Sequence, residues 1–172
     1  MPLLASLTSA AAWHVLSYGT LLGSQFYQSF IGGVVAFRAL PRPMFGLLQQ
    51  RIFPVYFSMQ IALPLAVLLS HPTASYDKLM ATEAALPMLI TFATSAVNLV
   101  AVGPATTAIM RERKAQESKE GRKYYDEGEK SLEMKALNKR FGVMHGVSSL
   151  LNLAAFVATV AYGFTLAQKL VM

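Results

Sequence analysis

Four long uncharged stretches divide the chain, and short segments that carry nearly all of the charge lie between them. The uncharged stretches run over residues 1–37, 52–76, 84–110 and 141–168. Each exceeds the roughly 20 residues that an α-helix needs to cross a hydrocarbon core of about 30 Å. The pattern predicts four membrane-spanning helices, at about 13–37, 52–70, 84–110 and 141–168, in a single transmembrane domain, 1–172.

Composition agrees with a membrane location. Hydrophobic residues make up 54% of the chain and charged residues 14%, and the mean hydropathy is +0.43. These values are too apolar for an ordinary soluble domain. We expect an all-α, integral membrane four-helix bundle with a charged helical loop, 111–140, between spans 3 and 4. Its composition predicts an extension of the third span and a second short helix, interrupted near Gly121 and Gly128.

The basic residues predict how the chain is oriented in the bilayer. All of the 15 Lys and Arg residues except Lys78 and Lys169 lie in the first and third loops between the spans. Under the positive-inside rule these two loops face the cytosol, or the matrix of an organelle, and both termini lie opposite. A three-span arrangement would separate the two basic loops, and we rank it lower.

Polar side chains recur at helical spacing along every predicted span. Facing lipid, they would lose hydrogen bonds that they can keep only against one another or in a wet cavity. Two interpretations stay open: interhelical contacts worth about 0.6 kcal/mol each, or a polar path for a small solute. We expect Asn98 and Asn152 to approach each other or to share a polar partner. The candidate cluster comprises Gln25, Gln28, Gln60, Asn98, His145, Ser149 and Asn152.

Two glycine-containing motifs each allow two interpretations. Gly19 and Gly23 form a GxxxG pair, which serves either packing inside the bundle or dimerisation. Gly103 and Pro104 predict a kink in the third span. They also allow a break that turns free carbonyls toward an ion, as in the discontinuous helices of transporters.

The residue types argue against catalysis and metal binding. The nine acidic residues lie in loops or at span edges, and the chain has neither a Ser, His and acid set nor a glycine-rich phosphate loop. Cysteine is absent, which excludes thiol chemistry. His145 has Met44, Met110 and Met144 near the same face, but methionines in helices mostly pack. We expect no enzyme activity, no cofactor and no metal site.

Membrane lipids are the predicted partners. Arg38, Arg42 and Arg51 flank or lie in the first basic loop, where arginines pair with the phosphates of anionic lipids. Other membrane proteins or a second copy of the chain are further candidates, and we expect no nucleic-acid binding.

Several segments together resemble the transmembrane protein 205-like family. The match covers nearly the whole chain in the same order, and the charged loop is the divergent part. It rests on Gln25-Phe26-Tyr27, Phe37-Arg38-Ala39-Leu40-Pro41-Arg42, Phe45-Gly46-Leu47-Leu48-Gln49, Phe53-Pro54-Val55-Tyr56-Phe57, Asn98 with Pro104-Ala105-Thr106-Thr107-Ala108, and His145-Gly146-Val147-Ser148-Ser149-Leu150-Leu151-Asn152-Leu153.

The resemblance implies a four-span protein of eukaryotic membranes without an established biochemical activity, with links to metal-drug resistance. The endoplasmic reticulum or another endomembrane is the favoured location, and a mitochondrial membrane is the alternative. Some relatives have cysteine where this chain has Leu151, so thiol-based metal transport does not carry over. The expected role is a structural or accessory subunit of a membrane assembly, and the alternative is a small transporter or channel.

Overall fold

The structure, a computed structural model, describes residues 8–71 and 82–171, with side chains as far as Gln168. Its elements form four helical segments, and no strand occurs among these residues. The first segment, 10–39, contains α1 (Ala10–Phe26), a π-helical turn (Tyr27–Gly32) and α2 (Gly33–Ala39). The second is α3 (Arg42–Leu69), the third contains α4 (Ala85–Val97), a second π-helical turn (Asn98–Val102) and α5 (Gly103–Glu120), and the fourth is α6 (Leu132–Val171).

Three of these segments are long and apolar enough to cross a membrane within the described ranges: Arg42–Leu69, Ala85–Glu120 and Leu132–Gln168. The first segment has the length for a crossing but is more polar. It carries His14, Tyr18, Ser24 and Gln25 within α1. The all-helical architecture that the sequence predicts is confirmed, and a bundle of four membrane helices is consistent with it.

The segments run alternately up and down. His14 of the first segment lies beside the end of α3 at Val67 and the end of α6 at Tyr162. Fifteen residues further along the first segment, Ser29 lies beside Asn152, which also bonds Tyr56. Each segment packs most closely against its neighbours in sequence, and the first and fourth segments touch more sparingly.

The helices extend beyond the uncharged stretches at the basic end. The second helix begins at Arg42 rather than near 52, and the fourth begins at Leu132 rather than near 141. The predicted extension of the third span is present, since α5 continues to Glu120, but the second helix of the charged loop is the beginning of α6 rather than an element of its own. The reason is that an uncharged stretch marks only the part of a helix that faces hydrocarbon, and the helix continues into water.

The charged loop is ordered by its own contacts. Gly121, with φ of 65°, ends α5 in the left-handed conformation that glycine adopts without strain. The Ser131 hydroxyl accepts the Met134 backbone N–H at 3.0 Å and so caps α6. Ser131 also donates to Glu120. This bond, together with one from Gln116, lowers the pKa of the Glu120 carboxyl, which lies outside the uncharged stretch 84–110.

We expect both termini to lie on the membrane face opposite the two basic loops. The alternating direction of the four segments and the distribution of Lys and Arg both favour an even number of crossings. Protease-cleavable tags at the two ends of the chain should share one accessibility in sealed vesicles, opposite to a tag inserted at Gly121. Termini on different sides would rule out four crossings. Lys78, one of the two basic residues assigned to the terminal face, lies outside the described residues.

Candidate functional site

A hydrogen-bonded cluster joins three segments at the end away from the basic loops. The His14 ring is buried, with Nδ1 2.9 Å from the Val67 carbonyl oxygen and Nε2 2.5 Å from the Tyr162 hydroxyl. A carbonyl oxygen can only accept, so the proton of a neutral ring lies on Nδ1 and Tyr162 donates to Nε2. The Tyr18 hydroxyl donates to the Thr159 carbonyl at 3.3 Å. These bonds tie the first segment to α3 and α6.

A second polar contact joins three segments nearer the middle of the bundle. The Tyr56 hydroxyl donates to Asn152 Oδ1 at 2.7 Å, and Asn152 Nδ2 donates to the Ser29 hydroxyl at 2.7 Å. Asn152 therefore uses both ends of its amide, one toward α3 and one toward the first segment. Both bonds lie within the predicted hydrocarbon depth, where few competing partners exist.

The third segment bonds mainly to α6. The Thr91 and Thr159 hydroxyl oxygens lie 3.2 Å apart, and both hydroxyls can also donate to the Ala155 carbonyl. Asn98 Nδ2 donates to the Ser148 carbonyl at 3.3 Å. The side chains of Asn98 and Asn152 thus bond different groups. In an α-helix the Ser148 carbonyl also accepts the backbone N–H of Asn152. Asn98 therefore bonds the helical turn of α6 that ends at Asn152.

Several fully buried amide atoms have no hydrogen-bond partner among the described residues. Gln60 Nε2 donates to the Ser24 hydroxyl at 3.0 Å, but Gln60 Oε1 has no partner. Asn98 Oδ1 likewise has none, and in Gln25 both the amide nitrogen and the amide oxygen lack one. Gln25 and Gln60 are 0% exposed and Asn98 is 1% exposed. The bundle therefore contains unused hydrogen-bonding capacity at three positions on three segments.

Two π-helical turns lie beside these amides, on the two segments that run in the same direction. In the first, the Gly33 backbone N–H donates to the Gln28 carbonyl, and in the second the Gly103 N–H donates to the Asn98 carbonyl. A Cβ at Gly103 would lie 2.8 Å from the Asn98 carbonyl oxygen. Glycine is required there because a side chain would collide with the backbone.

The structure brings together part of the predicted cluster. Gln25, Gln60 and Asn98 are fully buried, and Gln28 and Asn152 are half-buried. His145 and Ser149 are exposed on the outer side of α6, and the Ser149 hydroxyl bonds the His145 carbonyl of its own helix. The α6 side chains that face the other segments recur every seven residues, and this series contains Ser148, the residue before the predicted Ser149. Its members are all buried or half-buried: Met134, Phe141, Ser148, Ala155 and Tyr162.

Sequence reasoning missed three partners of the buried contacts. Ser29 and Tyr162 were not part of the candidate cluster, although the hydroxyl group of each is a signal that the sequence shows. Gly163 lets the Tyr18 hydroxyl approach α6, because a Cβ there would lie 1.9 Å from the hydroxyl oxygen. Nothing in the sequence distinguishes Gly163 from the glycines that no described residue approaches.

The basic end carries exposed arginines and one buried arginine. Arg38, Arg42 and Arg51 are exposed, and the Arg42 guanidinium lies 3.9 Å from the centre of the Phe37 ring. None of the three forms an ion pair among the described residues. Arg113 is instead buried, 3.6 Å from the Tyr124 ring centre, and so fastens the charged loop to α5. The exposed arginines remain available to lipid phosphates.

We expect that replacing Arg38, Arg42 and Arg51 together by glutamine weakens retention of anionic lipid. Each basic group near a charged leaflet contributes on the order of 1 kcal/mol. Native mass spectrometry of the purified protein should show less bound phosphatidylserine and unchanged phosphatidylcholine. The matched control replaces three exposed lysines of the charged loop, Lys119, Lys123 and Lys135, by glutamine. Equal losses from both variants would mean that net charge alone attracts the lipid.

The outer surface is apolar, and it includes glycines at which an added side chain would contact none of the described residues. Gly19 and Gly23 have no atom within 4 Å of a built Cβ, and the same holds for Gly142 and Gly146 on α6. Among the described residues, therefore, none packs against the GxxxG pair of the first segment. Two apolar grooves, of about 500 and 490 Å³, lie on the outside, at Pro54–Ala62 and between Ile90 and Leu150–Ala161.

In the described residues, no group of three or more His, Asp or Glu side chains is placed to hold a metal.

Comparison with known protein families identifies the chain's relationships. A family described as Domain of unknown function (DUF4149) matches residues 16–115, more than half of the chain. The chain belongs to this family. The DUF4149 match covers Gln25, Gln60, Asn98 and both π-helical turns, but it ends before α6. It is consistent with a membrane family, and it does not name the transmembrane protein 205-like proteins.

A fungal relative extends the similarity to the fourth segment. Xanthocillin biosynthesis cluster protein D of Aspergillus fumigatus is 31% identical over 171 residues, which are 98% of this chain and 96% of the relative. The four segments of this DUF4149 protein therefore correspond to nearly the whole of that protein. No solved structure matches the chain.

Proposed function

We propose that this DUF4149 protein is a non-enzymatic, multi-pass membrane protein of the transmembrane protein 205-like group. Its role is that of a structural or accessory subunit of a membrane assembly. The observation that carries the proposal is that several buried polar side chains bond to one another across segments. His14 with Tyr162, Tyr56 with Asn152, and Thr91 with Thr159 are such pairs. Pairs of this kind hold helices together and leave little for catalysis.

The outer surface supports a partner in the membrane. Gly19 and Gly23 on the first segment, and Gly142 and Gly146 on α6, are open, and small residues let the backbone of a second helix approach closely. The name of the Aspergillus fumigatus relative assigns it to a biosynthesis cluster. By analogy, an accessory subunit here would assist a membrane-bound pathway without performing a reaction itself.

The proposed location is a eukaryotic endomembrane, with the endoplasmic reticulum favoured and a mitochondrial membrane as the alternative. The basic loops would face the cytosol or matrix, where anionic lipids lie against Arg38, Arg42 and Arg51. The fungal source of the relative supports a eukaryotic membrane.

The test is isolation of the chain with its surrounding bilayer in a lipid-preserving polymer, followed by mass measurement and identification of partners. We expect a defined complex containing one stoichiometric membrane protein or a second copy. Gly23→Leu should abolish the complex without changing thermal stability, because the position is open. Val157→Leu, on the exposed side of α6, is the control that should retain it. A wild-type chain found only as a lone monomer would contradict the accessory role.

A small transporter or channel is the second candidate, and the paired π-helical turns favour it. Interrupted helices at corresponding positions of two halves mark the binding sites of many transporters. Here the turns occur in the first and third segments beside Gln28 and Asn98. Metal-drug efflux, implied by the family resemblance, would belong to this candidate. Flux of small solutes into liposomes containing the purified chain, above that of protein-free liposomes, would favour it over the accessory role.

A further inference from the structure

Gln25 is the least satisfied polar side chain within the bundle. It is 0% exposed, and neither Nε2 nor Oε1 has a hydrogen-bond partner among the described residues. An amide that has left water without gaining partners is costly, and within a bilayer no solvent compensates for the loss. Native proteins usually resolve such a cost with a bound water or another ligand.

The surroundings of Gln25 have spare acceptors as well. Ser24, the preceding residue, receives the Nε2–H of Gln60, which joins the first segment to α3 at this level. Gln60 Oε1 then has no donor, and Asn98 Oδ1 on the third segment also has none. The Asn152 contact lies just toward the basic end, since Ser29 follows Gln25 by one helical turn. Gln25 and Gln60 therefore supply unused amide atoms on two segments that the bond to Ser24 joins, and Asn98 supplies another on the third segment.

The chemistry of these atoms restricts the ligand. A cation would satisfy the amide oxygens but would be repelled by the N–H groups of Gln25, and an anion would face the reverse problem. Only a group that both donates and accepts, such as water, satisfies both atoms of a carboxamide.

We propose that ordered water binds at the Gln25 carboxamide and bridges it to the amide oxygen of Gln60. This hydrated site at the centre of the bundle goes beyond the proposed function and is independent of it. Water with two to four polar partners is a stable structural component of protein interiors. The site gives the bundle a polar centre whose bonds rearrange without breaking helix contacts.

The test uses the unmodified protein in bilayers of deuterated lipid, with polarisation transfer from water protons measured by solid-state NMR. The Gln25 carboxamide should receive water magnetisation several-fold faster than the Met88 methyl group. Met88 is 0% exposed in the apolar cluster with Leu21 and Val67 and lies in the first turn of α4, closer to the membrane surface. Transfer to Gln25 as slow as transfer to Met88 would overturn the proposal.

A pair of variants locates the water. Gln25→Leu removes the proposed ligands, so transfer to the Gln60 carboxamide should fall. Gln28→Leu makes the same change at a half-buried position about one turn away and should leave that transfer unchanged. Equal transfer to Gln60 in wild type and Gln25→Leu would show that the water is not held by Gln25. Loss of the water signal together with retention of a membrane partner would separate this proposal from the accessory role.

Discussion

Replacing Gly103 by alanine is expected to lower the free energy of unfolding by about 1–3 kcal/mol, the usual cost of forcing extra atoms into a packed interior. The new Cβ would lie 2.8 Å from the Asn98 carbonyl oxygen, a backbone atom that cannot rotate away. In an ordinary helix the same substitution stabilises by up to about 1 kcal/mol, because alanine is the better helix former. The sign of the effect therefore tests the π-helical turn.

Pro104 explains why the turn is there. A proline inside an α-helix clashes with the carbonyl of the residue four positions earlier, here Val100, and offers no N–H to it. Widening the helix over Asn98–Val102 removes this conflict and lets Gly103 N–H bond the Asn98 carbonyl. The widened turn also places Asn98, whose side chain bonds the Ser148 carbonyl. Loss of the turn should therefore also disturb the contact with α6.

The control for this prediction is Gly146→Ala. Gly146 is helical and no atom lies within 4 Å of a Cβ built there, so alanine should be neutral or stabilising. Reversible unfolding in mixed micelles, followed by circular dichroism, measures both variants. If Gly103→Ala is as stable as Gly146→Ala, the third segment is a regular helix and the π-helical turn plays no part in stability.

The positions of the helices were readable from the sequence because charge is excluded from hydrocarbon. The uncharged stretch 84–110 corresponds closely to the start of the third segment at Ala85. The helix ends were not readable, because helices continue into water wherever residues of good helix propensity follow. Leu132 begins α6 well before the uncharged stretch, since Ser131 provides a cap for it.

The candidate site was predictable only in part. Gln60, a member of the candidate cluster, is buried as expected, together with Tyr56 and Pro64 one turn to either side of it on α3. On α6 the polar line began one residue away from the true inward line, with Ser149 in place of Ser148. Side-chain polarity did not indicate the inward position there, because the Asn98 amide donates to the backbone carbonyl of Ser148, a group that every residue type provides. Side-chain chemistry cannot indicate a bond to the backbone.

Asn152→Leu is the second large effect that we expect, a loss of about 1–2 kcal/mol in the free energy of unfolding within the membrane. Asn152 bonds both the Tyr56 hydroxyl and the Ser29 hydroxyl, each at 2.7 Å. Its removal takes away the acceptor of the Tyr56 hydroxyl and the amide N–H that donates to the Ser29 hydroxyl. The loss stays moderate because polar groups of the unfolded chain also find partners in the bilayer.

A double-mutant cycle with Tyr56→Phe isolates the bond between Tyr56 and Asn152. The coupling energy should be about 0.6 kcal/mol or more, with about 1.7 kcal/mol as the upper end for membrane helices. Ser149→Ala is the matched control on the same helix. Its hydroxyl is exposed and bonds its own backbone, so its effect should stay within about 0.5 kcal/mol. Additive losses for Tyr56→Phe and Asn152→Leu would show that the bond does not hold the segments together. If Asn152→Leu instead leaves stability unchanged and abolishes solute flux in liposomes, the polar interior is a path, and the transporter replaces the accessory subunit as the better account of this protein.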